Sequence, residues 1–108
     1  MRRVELPWPY KGLSPNSNLH WRRKAEAKAQ YRFDCKASAN KITPGKLLTV
    51  TFRPPNRRWD RDNMIGAFKA GQDGIADAMG IDDRNFVIAY RYEEPVKHGA
   101  VIVEVIEP

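Results

Sequence analysis

Between residues 57 and 84 the chain reads Arg57-Arg58-Trp59-Asp60-Arg61-Asp62-Asn63, then Lys69, Asp73-Gly74-Ile75 and Gly80-Ile81-Asp82-Asp83-Arg84. Side chains of these types can handle a phosphodiester. Carboxylates hold a hard cation such as Mg²⁺, which keeps several waters and takes further ligands from substrate phosphate. A lysine beside them stabilises charge developing on phosphate oxygens. Spacing decides which acids can meet. Residues two apart on a helix point about 200° apart, whereas on an extended segment they share a face. Asp60 is expected to end an extended approach and Asp62 to cap the helix that follows, so that both carboxylates aim at one point. Each feature also has a plain structural use. Asp-X-Asp before a helix serves as an N-cap with a favourable charge at the positive end of the dipole, Asp82-Asp83 serves as a turn, and Arg57, Arg58 and Arg61 can simply neutralise the acids.

The helix gives the constellation a direction. With Asp62 at zero, Lys69 lies about 20° to one side and Asp73 about 20° to the other, while Met64, Ile65, Phe68, Ile75 and Met79 fall between about 200° and 300° and predict the core face. Lys69 is about 10 Å up the axis and leans toward the N-terminus, so its ammonium is expected to approach the carboxylates. Asp73, about 16 Å up, is too far to share a metal with Asp62 and is expected to support Lys69 as an ion-pair partner. Gly66, Gly71 and Gly74 weaken this helix by about 1 kcal/mol each relative to Ala, a cost that suits a close approach of backbone or partner.

The elements that must position these residues follow from local signals. Val4 to Trp8 reads as a short extended segment ended by prolines, and Lys11 to Ser17 as a loop. Asn18 is expected to cap a helix running to about Asn40. Its apolar stripe is Trp21, Ala25, Ala29, Phe33 and Ala37, with Lys24, Lys28, Arg32 and Lys36 as a solvated row about 18 Å long. Leu47 to Arg53 reads as a strand stopped by Pro54-Pro55-Asn56. The second helix runs from Asp62 to Met79, with Gly80 as the residue after its cap. Asn85 to Glu94 alternates, placing Phe86, Ile88, Tyr90 and Tyr92 on one face. Val96 to Gly99 is expected to be a hairpin connection to a last strand with Val101, Val103 and Val105 on one face. The order β-α-β-α-β-β predicts an α+β domain over residues 1–108, a mixed sheet with two helices packed on it.

Charge narrows the partner. The chain carries +6 overall, but residues 1–59 hold 14 basic and 3 acidic side chains and residues 60–108 hold 5 basic and 10 acidic ones. A basic half predicts a polyanionic partner, most simply nucleic acid. Arg57, Arg58 and Arg61 beside the acids, and Arg22, Arg23 and Lys24 on the first helix, are the candidate DNA-binding residues. Acids facing a polyanion are unfavourable unless a cation lies between them, which separates a metal-dependent nuclease from the alternative, a non-catalytic basic nucleic-acid-binding module. A third reading, a small enzyme on an anionic metabolite, lacks a phosphate-cradling glycine loop, and no small-molecule cofactor is expected. The chain of 108 residues is long enough for one core. Its one cysteine, Cys35, excludes an internal disulfide and a Cys-rich zinc site. Arg2-Arg3 is not followed by an apolar stretch and no apolar run approaches a membrane span, so neither an export signal nor a membrane partner is expected and a cytoplasmic location is.

Asp60-Arg61-Asp62-Asn63, Lys69, Asp73-Gly74-Ile75 and Gly80-Ile81-Asp82-Asp83 resemble the signature of the RusA family of Holliday-junction resolvases, common in prophages. Leu6-Pro7-Trp8-Pro9 and Ser14-Pro15-Asn16 resemble that family's first strand and loop, and the resemblance spans about residues 4–105. It implies a homodimeric endodeoxyribonuclease of DNA recombination and repair that nicks opposing strands of a four-way junction with Mg²⁺ or Mn²⁺. Carried over, Asp60, Asp62 and Asp83 match the catalytic, metal-binding carboxylates and Lys69 the catalytic lysine. The spacing departs at one place. The family's lysine follows the second Asp by four residues, where this chain has Gly66, and Lys69 lies three residues later, about 4.5 Å farther along the helix. A homodimer also suits two symmetric nicks, and Phe86–Tyr92 with the last strand offer apolar surface that is expected to help form it.

Overall fold

The computed structural model describes residues 1–106. Its strands are β1 (Arg3–Leu6), β2 (Leu47–Arg53), β3 (Val87–Tyr92) and β4 (Ala100–Val105), and its helices α1 (Trp21–Ser38) and α2 (Arg61–Met79), with single 3-10 turns at Lys11–Leu13 and Asp83–Asn85. Chain order is β-α-β-α-β-β, and the two helices pack on a four-stranded mixed sheet, an α+β fold.

Strand order in space is β1-β4-β2-β3. β4 lies antiparallel between β1 and β2, with Val4 opposite Val103 and Val103 opposite Val50. β3 runs parallel to β2 at the sheet edge, Val50 opposite Tyr90. The expected β3–β4 hairpin is therefore not formed; the segment after β3 carries the chain past β2 instead. Burial explains the exchange. Ala100, Val101, Ile102, Val103 and Val105 are all buried and only Glu104 of β4 is exposed, so this strand belongs inside the sheet. β3 alternates between exposed and half-buried residues, which an edge strand tolerates. The β2-α2-β3 path supplies the crossover that parallel neighbours need.

One face of the sheet, made of Leu6, Val50, Phe52, Val101 and Val103, is buried beneath the helices. Phe52 stacks on Tyr90 and Tyr92, with ring centroids 5.9 and 5.8 Å away, and meets Phe68 of α2 edge-on at 5.7 Å. Phe86, Ile88, Tyr90 and Tyr92 do share a face, but it packs against this core. These four side chains are only half-buried by that packing, and Val87 between them is exposed.

The first helix starts at Trp21 with His20 as its cap, the Arg22 amide donating to His20 Nδ1 at 3.2 Å, so Asn18 lies before it. Its expected apolar stripe faces outward: Trp21 is 69% and Phe33 66% exposed. The buried row is Tyr31, Cys35 and Ala39, with Ala27 half-buried beside it. The glycines of α2 select that row. A Cβ on Gly74 would collide with the Arg32 carbonyl oxygen and come within 3.0 Å of Cys35 Cβ, so the helices approach backbone to side chain. A tryptophan could not fit there, whereas Cys35 does. Tyr31 reaches past α2 to donate to the Pro7 carbonyl at 2.6 Å. Burial pushes the Cys35 thiol up to about 12, so it is a packing residue rather than a nucleophile.

Candidate active site and nucleic-acid interface

The start of α2 is built by Asp60. Its backbone is extended and its Oδ1 accepts from the Asn63 amide at 2.8 Å, while Oδ2 accepts from Asn63 Nδ2 at 3.0 Å. The cap is therefore Asp60 and not Asp62. Asp62 stands inside the first turn, exposed, where a negative charge suits the helix dipole. The register differs by two residues because Asn63 satisfies both oxygens of the earlier acid. The other end of α2 is as expected: Gly80 sits at φ 70°, and its amide and that of Ile81 close the helix.

Lys69 does not reach back toward Asp60 and Asp62. Its Nζ donates to Asp83 Oδ2 at 2.9 Å, in the 3-10 turn beyond the helix. Asp73, one turn farther along α2, feels the charges of both Lys69 and Asp83, but it is not the lysine's bonded partner. The two acids are driven apart electrostatically. The hydrogen bond from Lys69 holds Asp83 below its ordinary value, whereas burial, opposed by Lys69 and reinforced by the neighbouring Asp83 charge, raises Asp73. Lys69 is itself raised by its bond to Asp83. Asp82 has a separate task. It caps the turn and pairs with Arg84 at 2.9 Å, which brings it down to about 2.

A cleft of about 690 Å³ runs between α1 and α2, lined by Lys24, Lys28, Arg32, Lys69 and Asp73. Three of the four cations read as a solvated row on α1 thus join the α2 lysine along one groove. Lys24 donates to the Ser14 carbonyl at 3.3 Å, and Arg32 bridges the helices through a two-pronged pair with Asp77 at 2.7 and 2.9 Å. Lys28 and Arg32 were not separable from ordinary surface charge by sequence, because only the second helix reveals what the row faces.

The remaining basic candidates have separate contacts. Arg57 pairs with Glu94. Arg61 lies over the Tyr92 ring at 4.5 Å and Arg22 over Trp21 at 5.2 Å, cation–π contacts that leave hydrogen-bond donors available. Arg58 and Arg23 are exposed. Sequence reasoning also passed over Tyr90, which lies near enough to Lys69 for their charges to interact and donates to Gln72 at 3.4 Å. Its strand face was readable, but the parallel pairing that brings it over α2 was not.

The acids supply the oxygen donors that a Mg²⁺ ion takes, so the donor chemistry fits. Their arrangement does not yet form a cage: among the described residues, no three His, Cys, Asp or Glu side chains gather closely enough to hold a metal ion. Asp60 is committed to its cap and Asp83 to Lys69.

A two-layer α+β domain with two acids at one helix start and a lysine from the middle of that helix paired with a carboxylate in the turn beyond it is the class this geometry defines. A protein of Xylella fastidiosa (strain Temecula1 / ATCC 700964), itself uncharacterized, is 42% identical over 113 residues, covering 95% of this chain and 74% of that protein. The chain belongs to the family of that protein. No family model matches it. Among the described residues, no helix is long and apolar enough to cross a membrane.

Proposed function

We propose that this protein is a metal-dependent endodeoxyribonuclease that resolves four-way DNA junctions by paired nicks, acting as a homodimer in the cytoplasm. The observation that carries the reading is the Lys69–Asp83 contact of 2.9 Å. The lysine and one of the carboxylates that the RusA resemblance singles out are brought together from different elements, and the three-residue shift in spacing has not separated them. The groove lined by Lys24, Lys28, Arg32 and Lys69 supports a phosphate backbone as the ligand, because row-like cations bind DNA with little base readout. In this reading Asp60, Asp62 and Asp83, once Asp60 and Asp83 are released from the partners that hold them here, would bind Mg²⁺ or Mn²⁺, whose chemistry when bound is Lewis-acid polarisation of phosphate and activation of water. Lys69 contributes a cation for charge that builds on the phosphate oxygens, and Arg57, Arg58 and Arg61 hold the strand at the start of α2. A phosphate entering the groove competes with Asp83 for the Lys69 ammonium and so frees that carboxylate.

A second reading, a non-catalytic basic nucleic-acid-binding module, is favoured by one observation: Asp60, Asp77, Asp82 and Asp83 each have an internal structural partner. Purified protein on a labelled synthetic four-way junction, with Mg²⁺ and with EDTA, beside a linear duplex, separates the two. The nuclease cuts the junction in Mg²⁺ only and binds it in EDTA with a steep loss of affinity on adding salt. Binding without cleavage under every metal condition supports the module. Light scattering at micromolar concentration tests the dimer, and a monomer that still makes paired nicks defeats it.

A further inference from the structure

Beside the start of α2 lies a second cleft, of about 670 Å³, whose lining includes no carboxylate and none of the residues that line the basic groove. It falls in the size range of small-ligand sites. Its walls are unusual for this chain. Two of the three tryptophans, Trp8 and Trp59, line it, and so do four of the six asparagines, Asn16, Asn18, Asn56 and Asn63. The indoles meet edge-to-face with centroids 5.3 Å apart. Trp8 Nε1 is buried and has no hydrogen-bond partner among the described residues, a state that leaves the cost of a dry donor uncompensated. Asn56 accepts from the Arg58 amide and Asn63 donates to Asp60, but Asn16 and Asn18 are exposed with no side-chain hydrogen bond among the described residues. Arg58 lines the rim.

We infer that this cleft receives one unpaired nucleobase of the branched DNA. Flat aromatic surface offers stacking, which any base accepts. Carboxamides present a donor and an acceptor side by side, the pattern that reads a base edge. Arg58 is placed to hold the phosphate of the same nucleotide. Asn63 joins the two functions physically, since it lines the cleft and bonds the Asp60 carboxylate. A base seated here is therefore coupled to the acids at the start of α2. Branch points suit such a site, because a base already unstacked costs least to extrude. The cleft would give the enzyme a base preference at one position relative to the nick, which the backbone-holding groove cannot supply. This inference rests on the nuclease reading for its choice of DNA.

The test separates the two. A four-way junction carrying 5-iodouracil at the branch point, or alternatively ten base pairs out along one arm, is bound in EDTA and irradiated, and the crosslinked peptides are mapped by mass spectrometry. The expected crosslinks fall on Trp8 or Trp59, from the branch position only. Asn16→Ala and Asn18→Ala together lower that crosslink about tenfold, on the scale of losing one edge contact, with overall junction affinity kept within a few-fold. Trp59→Phe, which keeps a ring, retains crosslinking. Crosslinks elsewhere in a bound complex, or equal yields from branch and arm, overturn the base cleft and leave the nuclease reading standing. Crosslinks at Trp8 or Trp59 without cleavage in Mg²⁺ support the cleft and overturn the nuclease. Failure to bind junction DNA overturns both.

Discussion

Lys69 and Asp83 meet across fourteen residues of chain, Nζ to Oδ2 at 2.9 Å, and this contact ties the middle of α2 to the turn that follows it. Lys69 is not merely a solvated lysine one turn from Asp73. Its ammonium, though largely exposed, pairs with a carboxylate on another element, and it lines a groove with three further cations.

Removing that ammonium tests its role. Lys69→Ala is expected to lower single-turnover junction cleavage about 10²-fold or more, the scale of losing one electrostatic stabiliser, with only a slight loss of binding. The competing cation is Arg61, held over Tyr92. If Arg61→Ala is the severe variant and Lys69→Ala stays within a few-fold of wild type, Lys69 is only a structural partner of Asp83.

Asp60 has two jobs that substitutions can part. Asn at the cap still accepts from the Asn63 amide, so Asp60→Asn is expected to keep the stability of the protein, while Asp60→Ala loses about 1 kcal/mol. Both are expected to abolish cleavage, as are Asp62→Asn and Asp83→Asn, because each loses a charge that holds a divalent ion. Denaturant midpoints and cleavage rates measured on the same preparations check this. An Asp60→Asn enzyme that cuts at the wild-type rate confines Asp60 to capping.

Asp73 and Asp83 should titrate in opposite directions. Asp83 is depressed by Lys69, so its pairing is in place above the ordinary carboxylate range and is lost as pH falls through its lowered value. Asp73 is raised, so its charge weighs against the folded state at neutral pH and is relieved as pH falls. Asp73→Asn is therefore expected to raise the Tm at pH 7, with the gain shrinking in acid, whereas Asp83→Asn lowers it at pH 7 and matters less in acid. Carboxyl carbon shifts followed by NMR give the order directly: Asp73 takes its proton first on acidification. The reverse order refutes the arrangement.

Gly74 is where the helices come closest. Gly74→Ala gains helix propensity but drives a methyl group into the Arg32 carbonyl, so it is expected to destabilise by about 1–3 kcal/mol, as overpacking does. A neutral or stabilising result in a urea titration means that α1 can shift freely.

How far the sequence reached follows from which signals are local. Pro54-Pro55, the Gly80 stop and the alternation along β3 are written in neighbouring residues, and the six helices and strands and their order follow from such local signals. Strand partners are not. β4 enters the sheet between β1 and β2 because both its faces are apolar, a comparison across four strands that no hairpin signal contains. On α1 two rows spaced by four competed, and the bulkier one, with Trp21 and Phe33, lost to Tyr31 and Cys35 because Gly71 and Gly74 on α2 accept only a close-fitting surface. At the candidate site, Asp60, Asp62 and Lys69 could be named from residue type and spacing, and Asp83 only through the resemblance to the RusA family. Lys69's partner could not, since helical angles place Asp73 beside it but say nothing of a turn arriving from beyond Gly80.

The central claim, paired nicking of a four-way junction, is tested most directly on a supercoiled plasmid carrying an inverted repeat extruded as a cruciform. Two coordinated nicks across the junction convert it to linear DNA, while a single nick gives only an open circle. With Mg²⁺ or Mn²⁺ we expect linear product broken at the inverted repeat, none in EDTA, and none from a plasmid lacking the repeat. Open circles alone, equal cutting without the repeat, or no cutting with either metal would contradict the account.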